Sequence, residues 1–395
     1  MRRFGASALT LTAAFVFGSS AGAGSTAGAS CARPISAAVA RLPAPIVVTT
    51  DCGRYRFDRR GRVTYRRGFA LPVPPGTTAY FMDLTWYRVR NDHRNGRLTI
   101  GHGKRTLWRS RGRHFRDARD SGIGAVVSGR TAVAFSVFQG RRMSLYIARL
   151  GQAEQLVATD ETPLGFTAAG GLVSERRRTL LLRRGPVWRP RRLSSDAGDV
   201  VFDHAAHAVY FVARGRLERF DGARVMRLAT LTSLRVGRRP QIEPLGRLVG
   251  VHSASRLVVL RPDGRVFAST TLPRPARRAD MVSSALAAGG DADAVAFTVT
   301  HGNTAYGSRG SEIVYLLRPG TAAARVVFRE RLRFAVCERQ AELSWRGRWL
   351  LYSTSEGHVA LVDTSRPAQS ADLSETVARL PGMAGEEGRF DASWA

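Results

Sequence analysis

The stretch Ala341-Glu-Leu-Ser-Trp-Arg-Gly-Arg-Trp-Leu-Leu-Tyr-Ser-Thr-Ser-Glu-Gly-His-Val-Ala-Leu-Val-Asp363 holds three short apolar runs separated by tight turns at Gly347 and around Gly357. Each run has the length of a strand, and no helical spacing links them. The same strand–turn unit recurs upstream. Its first apolar residue falls at Tyr55, Leu107, Leu145, Leu180, Leu217, Leu257, Ile313 and Val359, at intervals of about 35 to 56 residues. That is near the length of four strands with their turns.

Before several copies lies a more continuous run: Ala132–Phe138, Ala208–Ala213, Ala294–Val299 and Trp349–Ser353. Near-continuous β-branched and aromatic runs suit strands that are covered on both faces. Helical periodicity is scarce, the best case being the short segment Ile35–Leu42. The two longest intervals contain a Pro-rich connector, Phe69–Pro75, and a polar, Gly-rich one, His301–Gly310. Repeats of this kind predict an all-β propeller of four-stranded blades, eight in number with seven as the alternative.

The ends extend the pattern. Gly388-Arg-Phe-Asp-Ala-Ser-Trp394 matches the innermost strand Glu342-Leu-Ser-Trp345, but no central strand follows it. Near the start, Ile46–Thr50, Arg54–Asp58 and Val63–Tyr65 read as three strands of a blade that lacks its innermost one. The C-terminal strand is therefore expected to join the N-terminal blade and remove an exposed sheet edge. The expected organisation is a signal peptide at 1–29, an N-terminal segment at 30–45 and a single propeller domain at 46–395.

Leu343-Ser-Trp-Arg-Gly-Arg-Trp-Leu-Leu-Tyr352 resembles the TolB-type, WD-like propeller repeat, in which a strand ending in Ser-Trp turns through Gly into an apolar strand containing Tyr. The resemblance covers residues 120–394 at the level of the repeat. It implies a propeller and no particular partner, because the α/β domain that precedes the propeller in that family has no room in residues 30–45. The family's Pro-Asp turn is also replaced here, by Arg346-Gly347 in one blade and by Asp203–His207 in another.

Arg2 and Arg3 precede a short apolar run, Ala8–Phe17, and the small-residue sites Ala21–Ala23 and Ala27–Ala29 follow it. This is the form of an export signal, cleaved after Ala23 or Ala29. Cys31 follows the second site, but Gly28 stands where a lipoprotein signal carries Leu, so lipid anchoring is not expected. No later segment has the roughly 20 apolar residues of a membrane-spanning helix. A secreted or cell-surface protein, monomeric and without a transmembrane segment, is the expectation.

The chain carries 61 Lys plus Arg against 31 Asp plus Glu, a formal net charge of +30. Lys104 is its single lysine. A preference for Arg codons explains Arg over Lys but leaves the shortage of acids unexplained. The charge has two readings: a partner such as an anionic polysaccharide, a wall polymer or an envelope protein, because dense guanidinium charge pairs with phosphate and carboxylate, or a base composition that favours Arg codons, which leaves the ligand open. Nucleic acid is not expected, since the chain reads as exported and shows no aromatic–basic nucleic-acid motif.

No nucleophile elbow, phosphate loop or Cys-x-x-Cys pair is present. Asp203, His204 and His207 are residue types that bind zinc, but they fall in a predicted turn that Asp itself favours. Ser194–Asp199 approaches the Asp-box of sialidase-like propellers with Val201 at the aromatic position, and reads as a polar linker between blades. Glu243, Asp280, Glu338 and Glu342 are carboxylates within reach of a channel mouth, where glycoside cleavage needs a pair. Asp291 and Asp293 are oxygen ligands too few for calcium. Cys52 and Cys337 are the preferred disulfide, with Cys31–Cys52 as the alternative. No catalytic, cofactor or metal site is predicted. The expectation is a non-catalytic binding or scaffold module, the alternative being a carbohydrate-active hydrolase or lyase.

Overall fold

The computed structural model describes residues 41–395 apart from 51–52, 67–76, 83–84, 93–96, 103–104, 111–122, 140–141, 238–239, 254, 273–285, 289–292, 303–308, 322, 334–340, 355–356 and 381–390. Among the described residues the strands form eight four-stranded antiparallel meanders, and the protein has an all-β propeller fold. Eight sheets among the described residues match the larger of the two expected blade counts.

Blade 1 runs Asp391–Trp394, Ile46–Thr50, Gly53–Phe57 and Val63–Arg66. Blade 2 is Thr77–Met82, Thr85–Asp92, Arg97–His102 and Arg105–Arg109, and blade 3 is Ile123–Ser128, Ala132–Gln139, Arg142–Arg149 and Glu154–Thr159. Blade 4 is Thr162–Phe166, Leu172–Arg176, Thr179–Arg184 and Arg189–Ser194, and blade 5 is Ala197–Asp203, Ala208–Ala213, Arg216–Phe220 and Val225–Thr230. Blade 6 is Gln241–Leu245, Leu248–His252, Arg256–Leu260 and Val266–Thr271, and blade 7 is Leu286–Ala288, Val295–Gly302, Arg309–Leu317 and Arg325–Arg333. Blade 8 is Ala341–Arg346, Trp349–Thr354, Val359–Asp363 and Ala371–Asp372. Blades 2 to 4 belong to one compact unit, Pro75–Ser195, and blades 5 to 8 with blade 1 to a second.

Within each unit the leading strand of one blade stands beside the leading strand of the next. A central strand flanked by two blades of its own unit then faces both. In blade 3, Val133, Phe135 and Val137 pack on Leu98, Ile100 and Trp108 of blade 2, while Ala132 and Ala134 turn to Phe166 and Leu172 of blade 4. In blade 7, Val295, Phe297 and Val299 meet Leu257 and Val259 of blade 6, while Ala294 and Ala296 meet Leu350 and Tyr352 of blade 8. Both side-chain rows of a strand are dry, so the two-residue polar alternation of a half-exposed strand disappears. Each fully buried Val, Leu, Ile or Phe contributes about 1.5–3 kcal/mol.

Blade 8 has an outer strand of only two residues. The short helix Ser374–Ala378 covers the gap, and Leu373, Val377 and Leu380 complete the core shared with Ile46, Val48, Tyr55 and Phe57 of blade 1.

The C-terminal strand pairs antiparallel with Ile46–Thr50, with Ile46 opposite Trp394 and Val48 opposite Ala392. The Ser-Trp ending of the repeat has a direct role here. Trp345 Nε1 donates to Ala287 O on the leading strand of blade 7 at 3.0 Å, and Trp394 Nε1 donates to Ser344 O on that of blade 8 at 3.2 Å. Each indole ties its leading strand to the one before it.

Two sequence expectations change. Thr106–Trp108 is the outer strand of blade 2, and Arg97–His102 is the third, so the 35-to-56-residue spread of intervals included a count of unlike strands. Trp108 reads like a core strand because it is buried against Phe135, and its indole donates to Gln152 O at 3.1 Å. The His301–Gly310 connector is also shorter than expected, since Gly302 pairs with Gly310. The segment Ile35–Leu42 is described only at its last two residues, and Phe69–Pro75 lies outside the described residues.

The Leu172–Arg176 and Thr179–Arg184 hairpin turns through Arg177 and Arg178 with φ of 47° and 67°. This two-residue turn favours Asn-Gly, because positive φ brings a Cβ against the backbone carbonyl, a contact that Gly lacks and Asn tolerates. The double substitution R177N/R178G is expected to raise stability by about 1 kcal/mol or more, read as a higher denaturant midpoint with an unchanged slope. Removing residues 391–395 is expected to lower the melting temperature and to promote association through the uncovered edge of Ile46–Thr50, as read by size-exclusion chromatography. Trp394→Phe, which loses only the indole bond, is expected to cost about 1 kcal/mol and leave the protein in its original association state.

Candidate functional site

A cleft of about 320 Å³ opens between the leading strands of blades 5 and 6. Asp199, Val200 and Val201 line one wall, Gln241, Ile242 and Glu243 the other, and His252 also lines it. The local backbone explains the opening. In the strand Ala197–Asp203, Asp199 and Val200 together oppose the single residue Phe211, a bulge that puts Asp199 at φ 46°. A bulge of this kind bends its strand and re-aims the side chains it carries. On the facing strand, Pro244 has no N–H to donate.

His252 ends the second strand of blade 6 and pairs in register with Gln241, which brings its ring to the cleft. It is only 4 % exposed, and among the described residues its Nε2 has no hydrogen-bond partner. Burial holds its pKa below the ordinary imidazole range, so the ring is neutral at pH 7. The unfolded chain binds that proton more readily. The stability it contributes is therefore present above the ordinary imidazole range and is lost as the pH falls through it. The cleft thus combines two carboxylates and a neutral imidazole with an apolar flank of Val200, Val201 and Ile242.

Of the predicted channel carboxylates, Glu243 lies in this cleft, half-buried. Glu342 is exposed on the leading strand of blade 8, opposite Ser353. Asp280, Glu338, Asp291 and the cysteines Cys31, Cys52 and Cys337 lie outside the described residues. Asp293 is an exposed residue of the bend before Val295. The Ser194–Asp199 segment is not a linker throughout: Ala197–Asp199 belongs to the leading strand of blade 5, and Asp199 is part of the cleft. Asp203 does shape a turn, its Oδ1 accepting from Ala206 N at 2.9 Å while the Phe202 and His204 rings lie 4.6 Å apart. Among the described residues no three His, Cys, Asp or Glu side chains are placed to hold one metal ion. His252 escaped sequence reading because it ends the apolar run Leu248-Val-Gly-Val-His252 and so looks like core.

Two further ionisable clusters are buried. In blade 4, Arg183 grips Glu161 with two bonds of 2.7 Å and donates to Trp188 O at 3.0 Å, while Ser174 Oγ also donates to Glu161. Between blades 7 and 8, the cross-strand neighbours Glu312 and Glu330 approach the Tyr352 hydroxyl at 3.0 and 2.8 Å, and His358 Nδ1 contacts Glu330. Both clusters bind strand to strand with their polar atoms turned to one another.

No protein-family model matches the chain, and no curated protein matches it. Among solved structures it is similar to BamB from Moraxella catarrhalis, at 13% identity over 83% of this chain and 95% of that one, with a TM-score of 0.39. It is similar to the WD40 domain of SCAP from fission yeast, at 11% identity over 84% and 94%, with a TM-score of 0.40. Sqt1 from Chaetomium thermophilum is a third, at 14% identity over 68% and 74%, with a TM-score of 0.43. The eight meanders of this chain carry the fold assignment by themselves.

The buried clusters differ in what their loss leaves behind. Arg183→Ala strands a carboxylate that is fully buried, and is expected to cost about 3–5 kcal/mol. Tyr352→Phe removes one hydroxyl from a pair of carboxyls, and is expected to cost about 1–3 kcal/mol. Chemical denaturation of the two variants against the parent checks both size and order.

Proposed function

We propose that the protein is an exported, monomeric, non-catalytic propeller scaffold that binds an anionic polymer of the envelope or the extracellular space. The observation that carries this reading is the outer ribbon of blade 4. Arg189, Arg191 and Arg192 are exposed on the edge strand, and Arg184, also exposed, pairs in register with Arg189. The exposed turn Arg176-Arg177-Arg178 belongs to the same sheet. Glu175 of this blade faces Arg178 in the turn, and the two acids that lead into the blade add little to the ribbon. Glu161 is consumed by buried Arg183, and Asp160 meets Arg177 only at 4.0 Å.

Exposed arginines at strand spacing present planar donor forks that match sulfate, phosphate and carboxylate groups repeated along a chain. Such an array binds by charge density and needs no enclosed pocket. The signal-like Arg2–Phe17 segment supports export. The repeat resemblance to TolB-type propellers supports a scaffold and assigns no partner. Among the described residues no helix is long and apolar enough to cross a membrane.

Retention on immobilised heparin or polyglutamate is expected at low salt and is expected to fall steeply above about 0.15 M, where the screening length is about 8 Å. The triple substitution R189E/R191E/R192E is expected to weaken binding at least about tenfold, which corresponds to 1.4 kcal/mol. Equal retention on neutral dextran, or an unchanged affinity of the triple variant, would overturn the proposal. Release of reducing ends from the bound glycan would replace the scaffold by the carbohydrate-active alternative.

A further inference from the structure

In the second compact unit, the turns that join the third strand of a blade to the fourth share one construction. Asp58, Asp221, Asp263 and Asp363 each turn Oδ1 back to accept the backbone N–H of the arginine that closes the turn, Arg62 at 2.9 Å and Arg224, Arg265 and Arg366 at 3.0 Å. The acid shapes the turn, and the arginine side chain stands in solvent. In blades 1, 5 and 6 the next residue is Val63, Val225 or Val266, and blade 7 carries the same pair as Arg325-Val326. Val225, Val266 and Val326 are 40, 55 and 42 % exposed, and with Tyr65 they are the large apolar side chains that this unit exposes among its described residues.

An up-and-down meander puts these turns at one end of each blade, together with the turns between first and second strands. Contacts between blades keep those ends level. A Cβ on Gly264 of blade 6 would stand 2.2 Å from Leu228 O of blade 5, and Ala324 of blade 7 packs on the core that holds Leu245 and Leu248 of blade 6. Arg325 donates to Thr364 O of blade 8 at 2.5 Å, and Arg346 of blade 8 donates to Ala395 O at 2.8 Å. The five turns, at 58–62, 221–224, 261–265, 318–324 and 363–370, hold eight arginines and four aspartates. Among the described residues, the first-to-second turns at this end add Arg247, Arg346 and Arg348 against Asp203 and Asp293.

We propose that this rim docks on a bilayer surface that carries anionic headgroups. The partner class follows from the pairing of arginine with valine. Headgroup phosphates form a two-dimensional array that arginines on five separate turns can meet at once, whereas a linear polyanion meets a row. The valines gain nothing from a hydrated polymer, but they can enter the boundary between headgroups and acyl chains. The acids of the turns reduce the charge little. Asp58 and Asp263 pair with Arg62 and Arg265 at 2.8 and 3.6 Å, in exposed pairs that bind weakly. Among the described residues, the side chains of Arg59, Arg60, Arg224, Arg318 and Arg366 have no ion-pair or hydrogen-bond partner. The rim is in the unit that lacks blade 4, and it does not depend on polyanion binding by that blade.

The test is co-sedimentation of the whole protein with vesicles of phosphatidylcholine containing about one third phosphatidylglycerol, and with vesicles of phosphatidylcholine alone. Affinity for the anionic vesicles is expected to be at least about tenfold higher. R224E/R265E/R366E is expected to lower it at least about tenfold. V225S/V266S/V326S is expected to lower it at least about threefold and to leave retention on heparin unchanged. R189E/R191E/R192E is expected to do the opposite, lowering heparin retention and leaving vesicle binding unchanged. Melting temperatures confirm that each variant is folded. Equal binding to the two kinds of vesicle, or anionic-vesicle binding that survives R224E/R265E/R366E in folded protein, would overturn the proposal. So would vesicle binding unaltered by V225S/V266S/V326S, which would make the rim a general polyanion surface. The comparison of vesicles on the parent protein needs no variant to fold.

Discussion

A four-stranded sheet one layer thick has two faces to remove from water, and within each unit the blades depend on their neighbours to do so. The division of labour is residue by residue. In Ala294–Val299, the odd positions Val295, Phe297 and Val299 face blade 6, and the even positions Ala294 and Ala296 face blade 8. Small side chains on one row let the next blade approach, and large ones on the other fill the wedge. A substitution in such a strand therefore disturbs one interface and spares the other. The core is a series of shared layers between adjacent blades, so stability within each unit accumulates blade by blade.

An edge left open at the termini would defeat this arrangement, and the pairing of Asp391–Trp394 with Ile46–Thr50 prevents it in blade 1. The tryptophan at the end of the leading strand adds direction to the contact. Its indole N–H reaches the carbonyl of the previous leading strand in blade 8 and again in blade 1, so packing and a hydrogen bond select the same register.

Charge is distributed by a different rule from apolar surface. Guanidinium groups are too costly to bury alone, and Arg183 is buried only because Glu161, Ser174 and the Trp188 carbonyl satisfy it. Much of the exposed charge stands on turns and edge strands, where Arg189, Arg191 and Arg192 also discourage edge-to-edge pairing. Acids survive on the leading strands of blades 5 and 6, where Asp199 and Glu243 share the cleft with His252. The proposed polyanion surface follows from this separation, with arginine gathered on an outer edge.

Strand length, turn residues and the repeated Ser-Trp ending determine the meander, the propeller and the use of the last strand in the first blade, because all three are local patterns that recur along one chain. Blade 2 shows the limit, since Thr106–Trp108 has the apolar character of a third strand and only pairing partners reveal it as the outer one. The cleft was legible in one residue, Glu243. Asp199 looked like part of a polar linker because a bulge places it, and His252 looked like core because its run is apolar. Which acids meet, which imidazole is left without a partner and which arginine is buried are decided between strands that are distant in sequence. Short-range sterics and burial write the repeating unit into the chain, whereas the cleft and the buried ion pairs depend on proximity between strands, a property of register and bulges that no local pattern encodes.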